Sequence, residues 1–138
     1  MILLDTSGLL AAIDSAQPAH AAAAAAIAAD AGPFPLSPFV LAELDYLVAT
    51  RAGELARISL LAEVARGAYQ LQPFSADDVR AASMVIERHA DLGISLADAS
   101  IIVLAERHAA REVLTLDERH FRVLQVHRKP LRLLPADA

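Results

Sequence analysis

Two short runs dominated by apolar residues, Met1–Leu4 and Glu112–Leu116, stand near opposite ends of this 138-residue chain, and each runs into an aspartate, Asp5 and Asp117. Segments of helical length fill the space between them. Brief apolar runs bounded by turn residues are the pattern of strands buried on both faces. Their alternation with helical segments is the pattern of a parallel sheet wrapped by helices, so the expected class is α/β with Met1–Leu4 as a central strand. Ser7 is expected to cap a short helix over Gly8–Asp14, and Pro18 to open a second that Gly32-Pro33 stops. Pro35-Leu36 reads as a stub of strand and Ser37-Pro38 as the start of a helix to about Thr50. Past Gly53, Leu55, Ile58, Leu61 and Ala65 make the stripe of an amphipathic helix, to be read as core or as contact surface. Tyr69–Leu71 is a candidate strand. Ser75 caps a helix to about Ala90 with Val79, Ala82, Val85 and Ile86 inward. Ser95 opens another ending near Ala110, and Leu131–Leu134 is the last strand. No linker or internal repeat interrupts this, so one domain over 1–138 is expected.

Composition narrows the function. Hydrophobic residues make up 56% of the chain, which argues against disorder. No apolar run approaches the ~18 residues needed to span a bilayer, and the first one carries Asp5, so neither a membrane segment nor a signal peptide is expected. The absence of cysteine removes disulfides, thiolate metal sites and cysteine nucleophiles, and fits a cytoplasmic protein. A net charge of −5 argues against a protein that coats nucleic acid by bulk electrostatics. Yet Arg119, Arg122, Arg128, Lys129 and Arg132 follow one another with no acid among them, either a local phosphate-binding strip or a solvated face.

Four carboxylates lie at the tips or on the apolar faces of the most hydrophobic segments. They are Asp5 in Leu-Leu-Asp-Thr-Ser-Gly, Glu43 in Val-Leu-Ala-Glu-Leu, Asp98 in Leu-Ala-Asp-Ala-Ser-Ile and Asp117 in Val-Leu-Thr-Leu-Asp. In open parallel sheets, sites form outside the carboxyl ends of the strands. Asp5 and Asp117 end strands, and Glu43 and Asp98 fall in early turns of helices that begin near that edge. Four converging carboxylates repel unless hard divalent cations lie between them, and an all-oxygen set suits Mg²⁺ or Mn²⁺, catalysts of phosphodiester hydrolysis. Each acid alone has a plainer account. Asp98 completes a capping box with Ser95, Asp5 and Asp117 fit turns or N-caps, and Asp45 has neighbours as apolar as those of Glu43.

Taken in order, Leu-Leu-Asp-Thr-Ser-Gly-Leu-Leu-Ala, Val-Leu-Ala-Glu-Leu, Leu-Ala-Asp-Ala-Ser-Ile and Val-Leu-Thr-Leu-Asp-Glu-Arg-His-Phe resemble the acidic motifs of PIN-domain ribonucleases. Within that family the chain is similar to the VapC-type toxins of bacterial toxin–antitoxin pairs. The resemblance covers nearly the whole chain and is weakest after Phe121, with the tail from about 127 unassigned. It implies a three-layer, Rossmann-like PIN domain whose central, mainly parallel sheet is flanked by helices. It implies Asp5, Glu43, Asp98 and Asp117 around one or two Mg²⁺ or Mn²⁺ ions, and selects Glu43 over Asp45. Thr6, Ser7 and Thr115 fall beside these acids, where their hydroxyls are expected to orient carboxylates, water or the substrate phosphate. The implied partners are an RNA substrate and a VapB-type antitoxin that places a basic side chain in the acidic pocket, where a guanidinium can stand in for the cations. Apolar surface around Tyr46, Leu47 and the Leu55–Ala65 helix is expected to serve that contact or a homodimer. No membrane partner is expected.

The expected chemistry is metal-assisted hydrolysis by an activated water, with a second ion on the leaving 3′-oxygen, producing 5′-phosphate and 3′-hydroxyl ends and so stopping translation. Asp5 is the anchor of the set, and Glu43 a ligand or proton acceptor. His20, His89, His108, His120 and His127 read as surface histidines, His120 being the one nearest an acid. Rival readings fit less well. A haloacid-dehalogenase-like phosphatase needs a second aspartate where Ser7 stands. A Mg-binding receiver-like module needs paired acids after the first strand and a late lysine, and Lys129 is the only lysine. A non-catalytic interaction module is the third alternative.

Overall fold

The computed structural model describes residues 1–138. It begins with β1 (Leu3–Leu4), α1 (Thr6–Ile13), α2 (His20–Ala28) and β2 (Pro35–Leu36). There follow α3 (Pro38–Ala52), α4 (Glu54–Ala65), β3 (Gln70–Leu71), α5 (Ala76–Arg88) and α6 (Leu96–His108). The chain closes with β4 (Glu112–Leu114), α7 (Glu118–Phe121), β5 (Gln125–Val126), β6 (Lys129–Pro130) and β7 (Arg132–Leu134). β1, β4 and β7 form a parallel ladder in that order, with Leu3 opposite Val113 and Val113 opposite Leu133. β2 and β3 pair in parallel beside it, and β5 with β6 makes an antiparallel hairpin. The class is α/β, as the alternating pattern predicts. β4, not β1, is the middle strand of the ladder, although Leu3 and Leu4 are fully buried because helices cover both faces. One contiguous apolar core joins the ladder to the helices, and each large side chain it removes from water contributes about 1.5–3 kcal/mol.

Gly8 fixes how α1 meets the sheet. A β-carbon there would collide with the carbonyl of Leu114, so the helix lies directly on the end of β4 only because residue 8 has no side chain. That brings Ser7 against Thr115. Ser7 does not cap the helix as expected. Asp5 holds the N-cap position, without a side-chain cap bond, and Ser7 lies inside the first turn with its hydroxyl turned back to the acid.

The two helices that carry the other early acids are tied at their starts. Ser37 caps α3, with Pro38 at its first position, and its hydroxyl meets that of Ser100 at 2.6 Å in the core. Ser100 also donates to the Ala97 carbonyl at 2.6 Å. α5 and α6 both open with full capping boxes, Ser75 with Asp78 and Ser95 with Asp98.

Two phases differ from the sequence reading. In α4 it is Leu60 and Val64 that are buried, while Leu55 is 85% exposed and Ile58 and Leu61 also face solvent. In this rotation Arg57 Nε donates at 2.6 Å to Asp45 Oδ1 of α3. Val79 of α5 is likewise exposed, and Ala82 and Val85 carry that helix's buried face. The basic C-terminal stretch is not a continuous strip. Arg122 is held by Glu118 and Asp137, and Arg132 by Glu112, because the tail folds back and supplies an acid from beyond the stretch.

Candidate active site

Asp5 leaves the end of β1 and is 5% exposed, with its backbone N–H still in the ladder to Leu114. Two hydroxyls converge on its Oδ2: Ser7 Oγ donates at 2.7 Å and Thr115 Oγ1 donates at 2.7 Å. Each hydroxyl spends its single proton there and uses its oxygen to accept a backbone N–H of the loop after β4. Leu116 N donates to Ser7 at 3.0 Å, and Asp117 N donates to Thr115 at 3.0 Å. Strand end, helix start and loop are thereby locked around one carboxylate. Desolvation pushes the Asp5 pKa up, the two hydroxyls pull it back, and the charge of Asp98 pushes it up again.

Asp98 sits in the first turn of α6. Its Oδ2 accepts the Ser95 N–H at 3.2 Å, so the plain capping role is real, and the same carboxylate also faces the other acids. Burial raises its pKa, the Ser95 backbone bond and His120 lower it, and the charge of Asp117 raises it. Asp117 caps α7, accepting the His120 N–H at 3.1 Å on Oδ1. Glu43 reaches in from α3, where Thr6 Oγ1 donates to its Oε1 at 2.8 Å. Asp45, the competing acid two residues on, is consumed by Arg57 on the other side of the helix. Asp5, Glu43, Asp98 and Asp117 line a single open cleft together with Thr6 and Ser7.

His120 belongs with this group, contrary to the surface reading. Its side chain is only 19% exposed, and Nδ1 lies 2.8 Å from Asp117 Oδ2 and 3.5 Å from Asp98 Oδ2. The angles there make no hydrogen bond, which leaves a buried ring nitrogen without a donor or acceptor partner. Ligand atoms of Asp98, Asp117 and His120 all fall within 4.8 Å of one another. The sequence signal was present as the three-residue spacing from Asp117, which a single helical turn closes. The other histidines lie elsewhere: His20 against the Ala11 carbonyl, His108 against Gln72, and His127 at the Glu106 carbonyl.

A buried carboxylate at a strand end, faced by further acids from two helix starts and the next strand, matches a known pattern. The PIN-domain family model matches residues 2–125, which include every acid of the cleft. Ribonuclease VapC26 of Mycobacterium tuberculosis is 44% identical over 124 residues, covering 90% of this chain and 92% of that protein. This chain belongs to the PIN-domain family. Its place within the family is among the VapC-type ribonucleases, as the ordered motifs imply. The crystal structure of Mycobacterium tuberculosis VapC20, a toxin described as cleaving the sarcin–ricin loop, superposes with a TM-score of 0.78. It is 22% identical, and the match covers 85% of this chain and 90% of that one, so the PIN fold persists where most residues differ. The PIN match ends at residue 125, and the β5–β6 hairpin and β7 that follow are the region least legible from the motifs.

Proposed function

We propose that this PIN-domain protein is a divalent-metal-dependent endoribonuclease, the toxin of a VapB-type toxin–antitoxin pair that stops translation in the cytoplasm by cutting RNA. The observation that carries this reading is the convergence of Asp5, Glu43, Asp98 and Asp117 on one cleft. The residues fit a cation. Asp5 and Asp98 are desolvated carboxylates that repel neighbouring acids, and the buried Nδ1 of His120, beside Asp98 and Asp117, makes no hydrogen bond within the protein. Asp5, Asp98 and Asp117 would hold Mg²⁺ or Mn²⁺, with Glu43 and His120 at its margin. A divalent ion there would supply Lewis-acid activation of water and neutralise charge on the phosphoryl group.

The protein's own groups do the remainder. Asp5, clamped by Ser7 and Thr115, is the rigid anchor of the site. Glu43 is the acid open to solvent, and Thr6 holds one of its oxygens, so the carboxylate is aimed to accept the proton of an attacking water. Thr6, Ser7 and Thr115 position substrate indirectly, through the carboxylates they orient. An antitoxin arginine entering the cleft would replace cation charge with guanidinium charge. The exposed Leu55, Ile58 and Leu61 of α4 are the apolar surface for that antitoxin or for a homodimer.

End mapping of RNA from cells after brief expression tests the reading. Wild type should produce new 5′-phosphate and 3′-hydroxyl ends, and Asp5→Ala should produce none. Ends bearing a 2′,3′-cyclic phosphate, or identical ends from Asp5→Ala, would rule the mechanism out.

A further inference from the structure

The cleft is more than its acids. One face of α3 presents Glu43, Tyr46, Leu47 and Arg51 to it, at the three- and four-residue intervals that stack side chains along a helix. Tyr46 is 70% exposed, an unusual setting for an aromatic ring beside a carboxylate cluster. Arg51 is the one cation lining the cleft, and unlike Arg57 on the opposite side of the same helix pair it has no carboxylate partner. The acid whose charge it feels is Asp14, already bound to the Ala16 N–H and the Gln17 amide. From Glu43 to Arg51 the helix rises about 12 Å, room for more than one nucleotide of an extended strand.

We propose that α3 is the track for the RNA strand, on which Tyr46 stacks the base beside the scissile phosphate and Arg51 holds a phosphate beyond it. This rests on the ribonuclease reading. Continuity with the acid cleft selects the occupant. Carboxylate, aromatic ring and guanidinium follow one another along the helix in the order that a chain of phosphate, base and phosphate requires. Single-stranded RNA is held in this way, by unstacked bases on aromatic faces and by cations on the backbone. An antitoxin arginine would pair the acids of the cleft, but it would leave the exposed Tyr46 ring and the Arg51 guanidinium without a counterpart. The exposed leucine and isoleucine of α4, Leu55 and Ile58, suit a protein contact better.

The chain has no tryptophan, so Tyr46→Trp creates a single reporter whose indole can still stack. Placed in an Asp98→Asn background to prevent cutting, its emission should be quenched when single-stranded RNA is added. In the otherwise native enzyme, Tyr46→Ala should raise KM for RNA roughly tenfold or more with a smaller change in kcat, and Tyr46→Phe should restore it. Arg51→Gln should reduce the slope of log affinity against log salt by about 0.7, the loss of one phosphate contact on a single strand. If wild type cuts RNA while Tyr46→Ala keeps its KM, or RNA binds without dimming the reporter, the track is wrong and the ribonuclease reading stands. Tyr46→Ala that leaves KM alone and instead breaks a dimer assigns the face to a protein contact and also overturns the proposal. A wild type that neither binds nor cuts RNA ends both readings.

Discussion

Asp5 and Asp98 are carboxylates whose pKa values lie above the ordinary aspartate range, because burial disfavours their charged forms and neighbouring acids add to it. Such groups favour the folded state while protonated, and that contribution is lost as pH rises through the raised pKa. Metal-free protein should therefore gain stability from them as pH falls from neutral toward the ordinary aspartate range. The Asp137–Arg122 clasp works in the opposite direction. The Asp137 pKa is lowered to about 2, chiefly by Arg122, so its contribution is whole above the ordinary range and is lost as pH falls toward 2. Asp98→Asn removes one of the repelling charges and keeps an oxygen for the Ser95 cap. In thermal melts without metal it should raise Tm by roughly 2–4 °C, and it should abolish RNA cutting. A fall in Tm would mean that the acids do not strain the apo site. His120→Ala removes the unpartnered nitrogen beside Asp98 and Asp117, and calorimetric titration should find Mn²⁺ binding weakened about 10–100-fold.

At the scale of elements, the junction of α1 with β4 is the closest approach made at any of the chain's glycines. Gly8→Ala must push the helix off the Leu114 carbonyl, and should cost about 1–3 kcal/mol in denaturant unfolding and disturb the Ser7 and Thr115 bonds to Asp5. The rotation of α4 gives a paired test. Leu60→Ala should cost about 2–5 kcal/mol, as a buried leucine does. Leu55→Lys, at an exposed position, should stay within about 0.5 kcal/mol. Equal losses would mean that the helix packs on the phase read from its leucines. Helix starts were legible because serine, proline and capping acids act within one turn, as at Ser37-Pro38, Ser75 and Ser95. The phase of α4 was not, since its sequence offers two apolar stripes and packing of the folded chain buries the one with Leu60 and Val64. The β5–β6 hairpin was not foreseen either. Its turn is His127-Arg128, both at positive φ, where the usual signal is Asn-Gly.

For the molecule as a whole, the core and the cleft are separable. Apolar contacts close the core, and the acids lie at one end of the ladder, so chelation should weaken the protein without unfolding it. Saturating Mn²⁺ should raise stability by about 2.7 kcal/mol at one hundred times its dissociation constant, seen as a Tm shift that Asp5→Ala loses. No shift in wild type would argue against a metal at the acids. The α/β class and the main strand-and-helix order were readable in the chain, because apolar periodicity and end caps are local facts, and the ordered motifs pointed to the four acids that line one cleft. Whether Glu43 or Asp45 faced the cleft could not be read from spacing, since both have equally apolar neighbours. Family resemblance named Glu43, and the fold supplies the cause by giving Asp45 to Arg57 and Thr6 to Glu43. Arg122 and Arg132 left the basic strip for the same reason, whereas His120 entered the site through its three-residue spacing from Asp117, which one helical turn closes. A side chain's partner is set by what folding brings within about 4 Å of it, and partners remote in sequence leave no mark on the residues beside it.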